Sequence, residues 1–477
     1  MSPVPYALPK SPPSTRLRAL VFGLGPIWHR WRSGVRTAAA FGLSACALVA
    51  GGYPQYAMLA AFGAFAVMYG DGRPVRSRIG SVAGAAAGLL GGVAVGALLG
   101  HALAGRASLG TVAVVMLTVV AMTAVYVINA VRVGPPGALF FMTSASGAIA
   151  ATGAGVRPEV VLGCAGLGAV GALLVTGIGV GIDLLRGDRS RAARQPAVLR
   201  RLRRSWTPDS HAVTTTVRVG VACAGAGAIA LALNGLHPYW AMLTALVVLA
   251  QGPHRIGGRA RAIHRFAGTA VGVVAFAGLY QLGLTGYALV GLVAALMFAT
   301  ELFVAANYGI AVLFITPLAL FAGGAGTLGG SAGATIRDRL LETVIGVVAA
   351  VLCLSLVAPH ALRRTLALEH RRMRGTARRV VVALDAPMDA DGRMLCAKLR
   401  FDLKGCENAG IDCAHDDARW MHARWADHID LVHRGHGLLA AAEAVPLGER
   451  LADTAAWRGV FDDEAWAAAP EVVESGS

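Results

Sequence analysis

A carboxylate inside a long apolar run is the residue best placed to do chemistry in this chain. Glu301 stands in Ala295-Leu296-Met297-Phe298-Ala299-Thr300-Glu301-Leu302-Phe303. In a bilayer such an acid costs about 2.5–3.5 kcal/mol on insertion scales, so it is rarely idle. Two readings stay open. It faces a bundle interior and marks an ion or proton path, or it lies near the end of its run, solvated and paired with an arginine. A protonatable carboxylate suits proton-coupled export. The matching place in the first half of the chain carries Tyr126 and Asn129 instead, so any such coupling is asymmetric.

Hydroxyls and prolines form a second group. Gly134-Pro135-Pro136-Gly137 opens one short apolar run and Thr316-Pro317 interrupts another. Aligning Phe140-Phe141-Met142-Thr143 with Leu313-Phe314-Ile315-Thr316 puts the two runs in corresponding places. Proline frees a backbone carbonyl, and paired, interrupted, short segments point to a transport site. Thr143, Ser144, Ser146 and Thr316 add hydroxyls there, and Asn307 and Tyr308 are counted with them as substrate-path candidates. The alternative is a packing kink whose hydroxyls bond back to their own helix. Arg157 and Arg339 stand before the last run of each half. They either draw an anion or snorkel to lipid headgroups.

These residues need membrane elements to hold them. Of 477 residues, 56% are hydrophobic and only 15% charged, with mean hydropathy +0.59. That balance excludes an ordinary soluble domain and predicts a polytopic membrane protein. Sixty-one glycines against 6% aromatics predict helices that pack through small residues. Apolar runs fall near 35–52, 55–70, 79–104, 109–131, 136–154 and 158–184. A second set falls near 213–234, 239–253, 265–283, 285–306, 308–324 and 340–358. The net charge of +16 comes almost wholly from arginines that cluster after the even-numbered runs, as in Arg73/Arg76/Arg78 and in Arg255 to Arg265. Arginine beside spans follows the positive-inside rule, so both termini are expected in the cytoplasm and no nucleic acid is expected as partner.

One unit is written twice. Tyr53-Pro54-Gln55-Tyr56-Ala57-Met58-Leu59 precedes an apolar run, a basic turn and Gly80/Gly84/Gly88. His237-Pro238-Tyr239-Trp240-Ala241-Met242-Leu243 precedes another, with arginines to Arg265 and then Gly268-Thr269 and Gly272. Six runs per unit make the repeats parallel rather than inverted. Tyr239 and Trp240 are expected as interface anchors.

The second copy, with Arg339, Glu342, Thr343 and Gly346 opening the last run, resembles the fusaric-acid-resistance-like (FUSC) family of membrane transporters. That family includes exporters of aromatic carboxylic acids, and more distantly the pattern is similar to the plant aluminium-activated malate transporters. The resemblance implies a secondary transporter exporting organic anions; the plant relatives imply a passive anion channel. A membrane scaffold in envelope biogenesis is a third class.

The expected fold is therefore all-α, a polytopic membrane bundle of about twelve transmembrane helices in two parallel six-helix repeats, with a small helical cytoplasmic C-terminal domain. The expected divisions are an N-terminal tail 1–34, a first repeat 35–184, a basic linker 185–212, a second repeat 213–358 and a tail domain 359–477. The plasma membrane is the expected location. A small organic anion and lipids are the expected partners, with a homo-oligomer left open. No nucleophile elbow, phosphate loop or metalloprotease motif occurs, so neither enzyme nor cofactor is expected. In the tail, Cys406, Cys413 and His415, with His422, His428, His433 and His436 beyond, match no zinc ribbon or finger. No metal is expected there, only solvated helix faces.

Overall fold

A computed structural model describes residues 17–133, 136–188, 190, 197–233, 237–250, 255–322, 332–451 and 454–462, with 332–335 as backbone alone. Gly134, Pro135, Arg189, Arg191, Arg194 and the segment 463–477 therefore lie outside the described residues. All regular structure among the described residues is helical. The chain begins with α1 (Leu17–Phe22) and α2 (Trp31–Ala50). Residues 54–70 follow as alternating tight turns, 3-10 helix flanking the short α3 (Ala61–Ala64). Then come α4 (Val75–Ala102), α5 (Leu109–Val131), α6 (Leu139–Gly153) and α7 (Pro158–Leu185). After α8 (Val198–Ser205) the series continues with α9 (His211–Ala232), α10 (Pro238–Ala250), α11 (Arg255–Tyr280), α12 (Gly286–Val304), α13 (Tyr308–Ala322) and α14 (Ala332–Leu356). Last are α15 (Ala361–Leu384), α16 (Ala390–Asp416), α17 (Ala418–His422) and α18 (Trp425–Ala444).

Two compact units result. Residues 16–192 with 215–359 form one; residues 193–214 with 360–477 form the other. In the first, eight helices among the described residues are long and apolar enough to cross a membrane, and α6, α10 and α13 are shorter apolar helices. Their outward faces carry bare aliphatics such as Leu98, Val115, Ile178 and Val274, each more than half exposed. Aliphatic surface on that scale needs lipid around it.

The short segments sit innermost. Every residue from 60 to 70, and every residue of α10 from Ala241 to Leu249, is buried. Neighbours cover both, so neither needs the length of a lipid-facing span. Small residues allow the approach. A Cβ on Gly168 of α7 would lie 1.9 Å from the Ala60 carbonyl oxygen, and one on Gly346 of α14 would lie 2.3 Å from that of Ala241. Glycine is the only residue that fits either contact. The two halves repeat this packing: α4 lies on α6 as α11 lies on α13, and α7 lies on 54–70 as α14 lies on α10. Each half also lends its first helix to the other. Phe298 of α12 packs on Gly34 of α2, and Met122 of α5 packs on Gly220 of α9.

The second unit is a helical bundle with its own apolar core, centred on Met373, Val380, Leu399, Leu403, Val432 and Leu438. The basic stretch expected as a linker packs into it from α8 onward. Arg204 pairs with buried Asp402 at 2.8 Å, Thr376 donates to the same carboxylate at 2.6 Å, and Thr365 donates to the Asp209 carbonyl at 2.8 Å.

Candidate functional site

Packing two halves around short central segments leaves two cavities in the membrane unit. The larger, about 750 Å³, lies among residues 54–65, α6, α10, α11, α13 and α14. The smaller, about 130 Å³, lies among α2, α6, α12 and α13. Phe65, Leu139, Phe140, Tyr308, Ile315 and Leu318 line both. They form a neck in which the Phe65 and Phe140 rings stack at 4.1 Å between centroids.

The larger cavity is mostly apolar, with Gln55, Thr143, Ser146, Thr285, the tyrosine hydroxyls and two guanidiniums as its polar groups. Arg265 and Arg339 both line it, and each is 1% exposed. The Arg339 guanidinium lies over the Trp240 ring at 3.8 Å, a cation–π contact worth about 2 kcal/mol when desolvated. None of its three guanidinium nitrogens has a hydrogen-bond partner among the described residues, and Arg265 Nε and Nη2 lack one too. Two like charges buried without a salt bridge among the described residues are costly unless something anionic meets them. Glu342, one turn along α14, does not. Its carboxylate accepts the His237 backbone N–H at 2.6 Å and so caps the approach to α10.

The smaller cavity holds Glu301, wholly buried on α12. Oε2 accepts from Arg30 at 2.8 Å and from Ser33 at 2.9 Å. Arg30 also reaches Asp71 at 3.1 Å, so one guanidinium bridges two acids. Glu301 Oε1 and the Thr37 and Thr300 hydroxyls have no hydrogen-bond partner among the described residues, and all three residues line the same small space. Orphan donors and acceptors at the polar end of this otherwise apolar space are where water belongs.

The other expected site residues divide. Thr143, Ser146, Tyr308 and Arg339 come together around the larger cavity. Thr143 and Ser146 also bond back to the carbonyls of Leu139 and Thr143. Ser144 instead donates to the Phe62 carbonyl at 3.2 Å and Thr316 to that of Val312 at 2.9 Å. Pro317 leaves the Leu313 carbonyl without its helical donor. That carbonyl faces α11, 3.1 Å from where a Gly272 Cβ would lie. Asn129 donates to Val125 O, and neither it nor half-buried Tyr126 lines either cavity. Asn307 holds α1, donating to Val21 O and Gly23 O while its Oδ1 accepts the Gly309 N–H. Arg157 is exposed and pairs with Glu159. The echo between Arg157 and Arg339 in sequence is thus not an echo in environment.

Three residues escaped sequence reasoning. Arg265 was expected in a basic turn; α11 already begins at Arg255, which carries Arg265 about 15 Å along the helix and into the interior. Its signal was the helical face it shares with Gly268, Thr269 and Gly272. Arg30 precedes α2 by one residue and reads as a flanking charge. Trp240, expected as an interface anchor beside Tyr239, lines the cavity with it because α10 is enclosed. In the second unit, Cys406, Cys413 and His428 are buried, not on solvated faces.

Long apolar helices, a buried acid–arginine pair and a cavity between halves define a polytopic membrane helix bundle of a transport-related kind. Residues 223–353 match the family model described as fusaric acid resistance protein-like, which bears out the resemblance over the second membrane half. That stretch contains Trp240, Arg265, Glu301, Tyr308 and Arg339. No curated protein and no solved structure matches the chain.

Proposed function

We propose that the protein exports organic anions, aromatic carboxylic acids among them, through the path formed by the two cavities. One observation carries the reading: two buried guanidiniums, with all three Arg339 nitrogens and two of Arg265 lacking hydrogen-bond partners among the described residues, face a cavity walled by Tyr56, Phe62, Tyr239 and Trp240. A carboxylate meets Arg265 and Arg339 there, and an attached ring meets the aromatic wall. The neck of Phe65, Phe140 and Tyr308 separates this site from Glu301. The mirrored packing of the two halves supports the twelve-span, two-repeat arrangement, and the arginine-rich loops support cytoplasmic termini.

Glu301 serves as the coupling site in this reading. Protonating it would release Arg30, which Asp71 then holds, and the end of α2 would loosen from α12. The passive-channel reading draws on the same pair, because an acid already matched by an arginine needs no proton to be stable. Flux of an aromatic monocarboxylate into proteoliposomes, with and without an imposed pH gradient, separates the two. Accumulation against the substrate gradient supports the transporter; pH-independent equilibration supports the channel. Arg339→Gln is expected to weaken substrate binding by about tenfold or more, the scale of one charge-assisted hydrogen bond. Unaltered binding and flux in that variant would remove the site from the path.

A further inference from the structure

The second unit holds a cluster that transport does not use. His370 of α15, Cys406 of α16 and His428 of α18 converge in its interior, each no more than 1% exposed. One potential ligand atom from each lies within 4.8 Å of the others. His370 Nε2 and His428 Nδ1 are 2.9 Å apart, and the two ring planes are within 3° of parallel. Gly410, one turn beyond Cys406 on α16, makes room for this. A Cβ there would sit 2.0 Å from His428 Nε2.

We propose that His370, Cys406 and His428 bind a zinc-type divalent metal ion that ties α15, α16 and α18 together. Two imidazoles and a thiolate are borderline-soft donors, the set that favours zinc over magnesium or calcium. With metal–nitrogen bonds of about 2.0 Å and a metal–sulfur bond of about 2.3 Å, a tetrahedral site needs donor atoms about 3.3–3.6 Å apart. One donor atom from each residue lies within 4.8 Å of the others, so shifts of roughly 1 Å bring the set into that range. Hydrogen bonding within the pair alone does not satisfy the cluster, since His428 Nε2 is buried without a hydrogen-bond partner among the described residues. Binding the ion displaces the Cys406 thiol proton to solvent and leaves the thiolate as ligand. Three ligands leave a fourth position for water or a further group.

The test uses tag-free, full-length protein purified in detergent. Zinc retained after gel filtration is counted by mass spectrometry, and Co²⁺ is added to the zinc-free protein as a spectroscopic probe. About one zinc per chain is expected, together with a thiolate-to-cobalt charge-transfer band. Cys406→Ser, a near-isosteric change, should abolish that band. His370→Gln should weaken cobalt binding by more than about tenfold, the loss seen even for outer-sphere partners. Cys413→Ser, altering a buried cysteine outside the cluster, should change neither. Wild-type protein that holds no stoichiometric zinc and gives no cobalt spectrum overturns the proposal. So does a spectrum unaffected by both cluster variants.

Discussion

The neighbours of Glu301 set what that residue can do. The sequence leaves it either as a lone interior acid or as one paired near the end of its run, and the structure combines the two: it is wholly buried, yet matched by Arg30 and Ser33. Arg30 lies 271 positions away in sequence, and no local pattern could have joined them. Glu301→Gln keeps the size and the Ser33 hydrogen bond but removes the charge. In the proposed mechanism it leaves substrate binding intact and abolishes flux driven by a pH gradient; Glu301→Asp retains part of that flux. Gradient-driven accumulation by purified Glu301→Gln protein would exclude the residue as the coupling site. A second titrating group stands at the margin of the membrane unit. Hydrogen bonding to Glu342 raises the His237 pKa above the usual value of about 6.5. A raised folded-state pKa makes the stabilising contribution complete below about pH 6.5 and loses it as pH climbs through the raised value. The ring is 59% exposed, so the effect is at most about 1 kcal/mol. Thermal unfolding in detergent should show a small decline over that window in wild type, and His237→Gln should flatten it.

At the scale of elements, the long apolar helices were legible because hydropathy and length suffice to find them. The short ones were legible as apolar runs, but not as the innermost elements. Residues 55–70 read as a short span, whereas the chain there winds mostly in tight 3-10 turns and is buried throughout from residue 60 to 70. Burial depends on which glycines face the segment, and Gly168 is remote from it in sequence. Packing at that contact is directly testable. Gly168→Ala would press a methyl group into the Ala60 carbonyl, and overpacking of this kind costs about 1–3 kcal/mol. Gly166→Ala, on the same helix with nothing within 4 Å, is the matched control. Equal thermal stability of the two variants would mean that α7 and the central segment are not held as closely as described. The cluster of His370, Cys406 and His428 escaped notice for the same reason as the Arg30–Glu301 pair. Its members sit on three helices, and only tertiary packing unites them.

For the whole molecule, composition separates an apolar part of the chain from a charged one. Residues 193–214 belong with the C-terminal helices because Arg204, Thr207 and Asp209 bond to α15 and α16. The proposed orientation puts residues 185–212 and 360–477 on the cytoplasmic side. Single cysteines introduced there, in an otherwise cysteine-free variant, should resist a membrane-impermeant maleimide in intact cells and react after lysis. Labelling in intact cells would reverse the orientation.

The two guanidiniums in the large cavity also make the protein an electrical object. An ion carried across the bilayer exchanges about 2.3 kcal/mol per elementary charge with each 100 mV of membrane voltage. Arg265 and Arg339 together bring two positive charges, so a bound monocarboxylate neutralises only half of them. Any conformational step that shifts this site through the field would then be biased in the same direction in both states, about twice as strongly when empty as when loaded. A resting voltage, negative inside, would set the ratio of the two, so the cell's electrical state could govern how fast the site is reset between cycles.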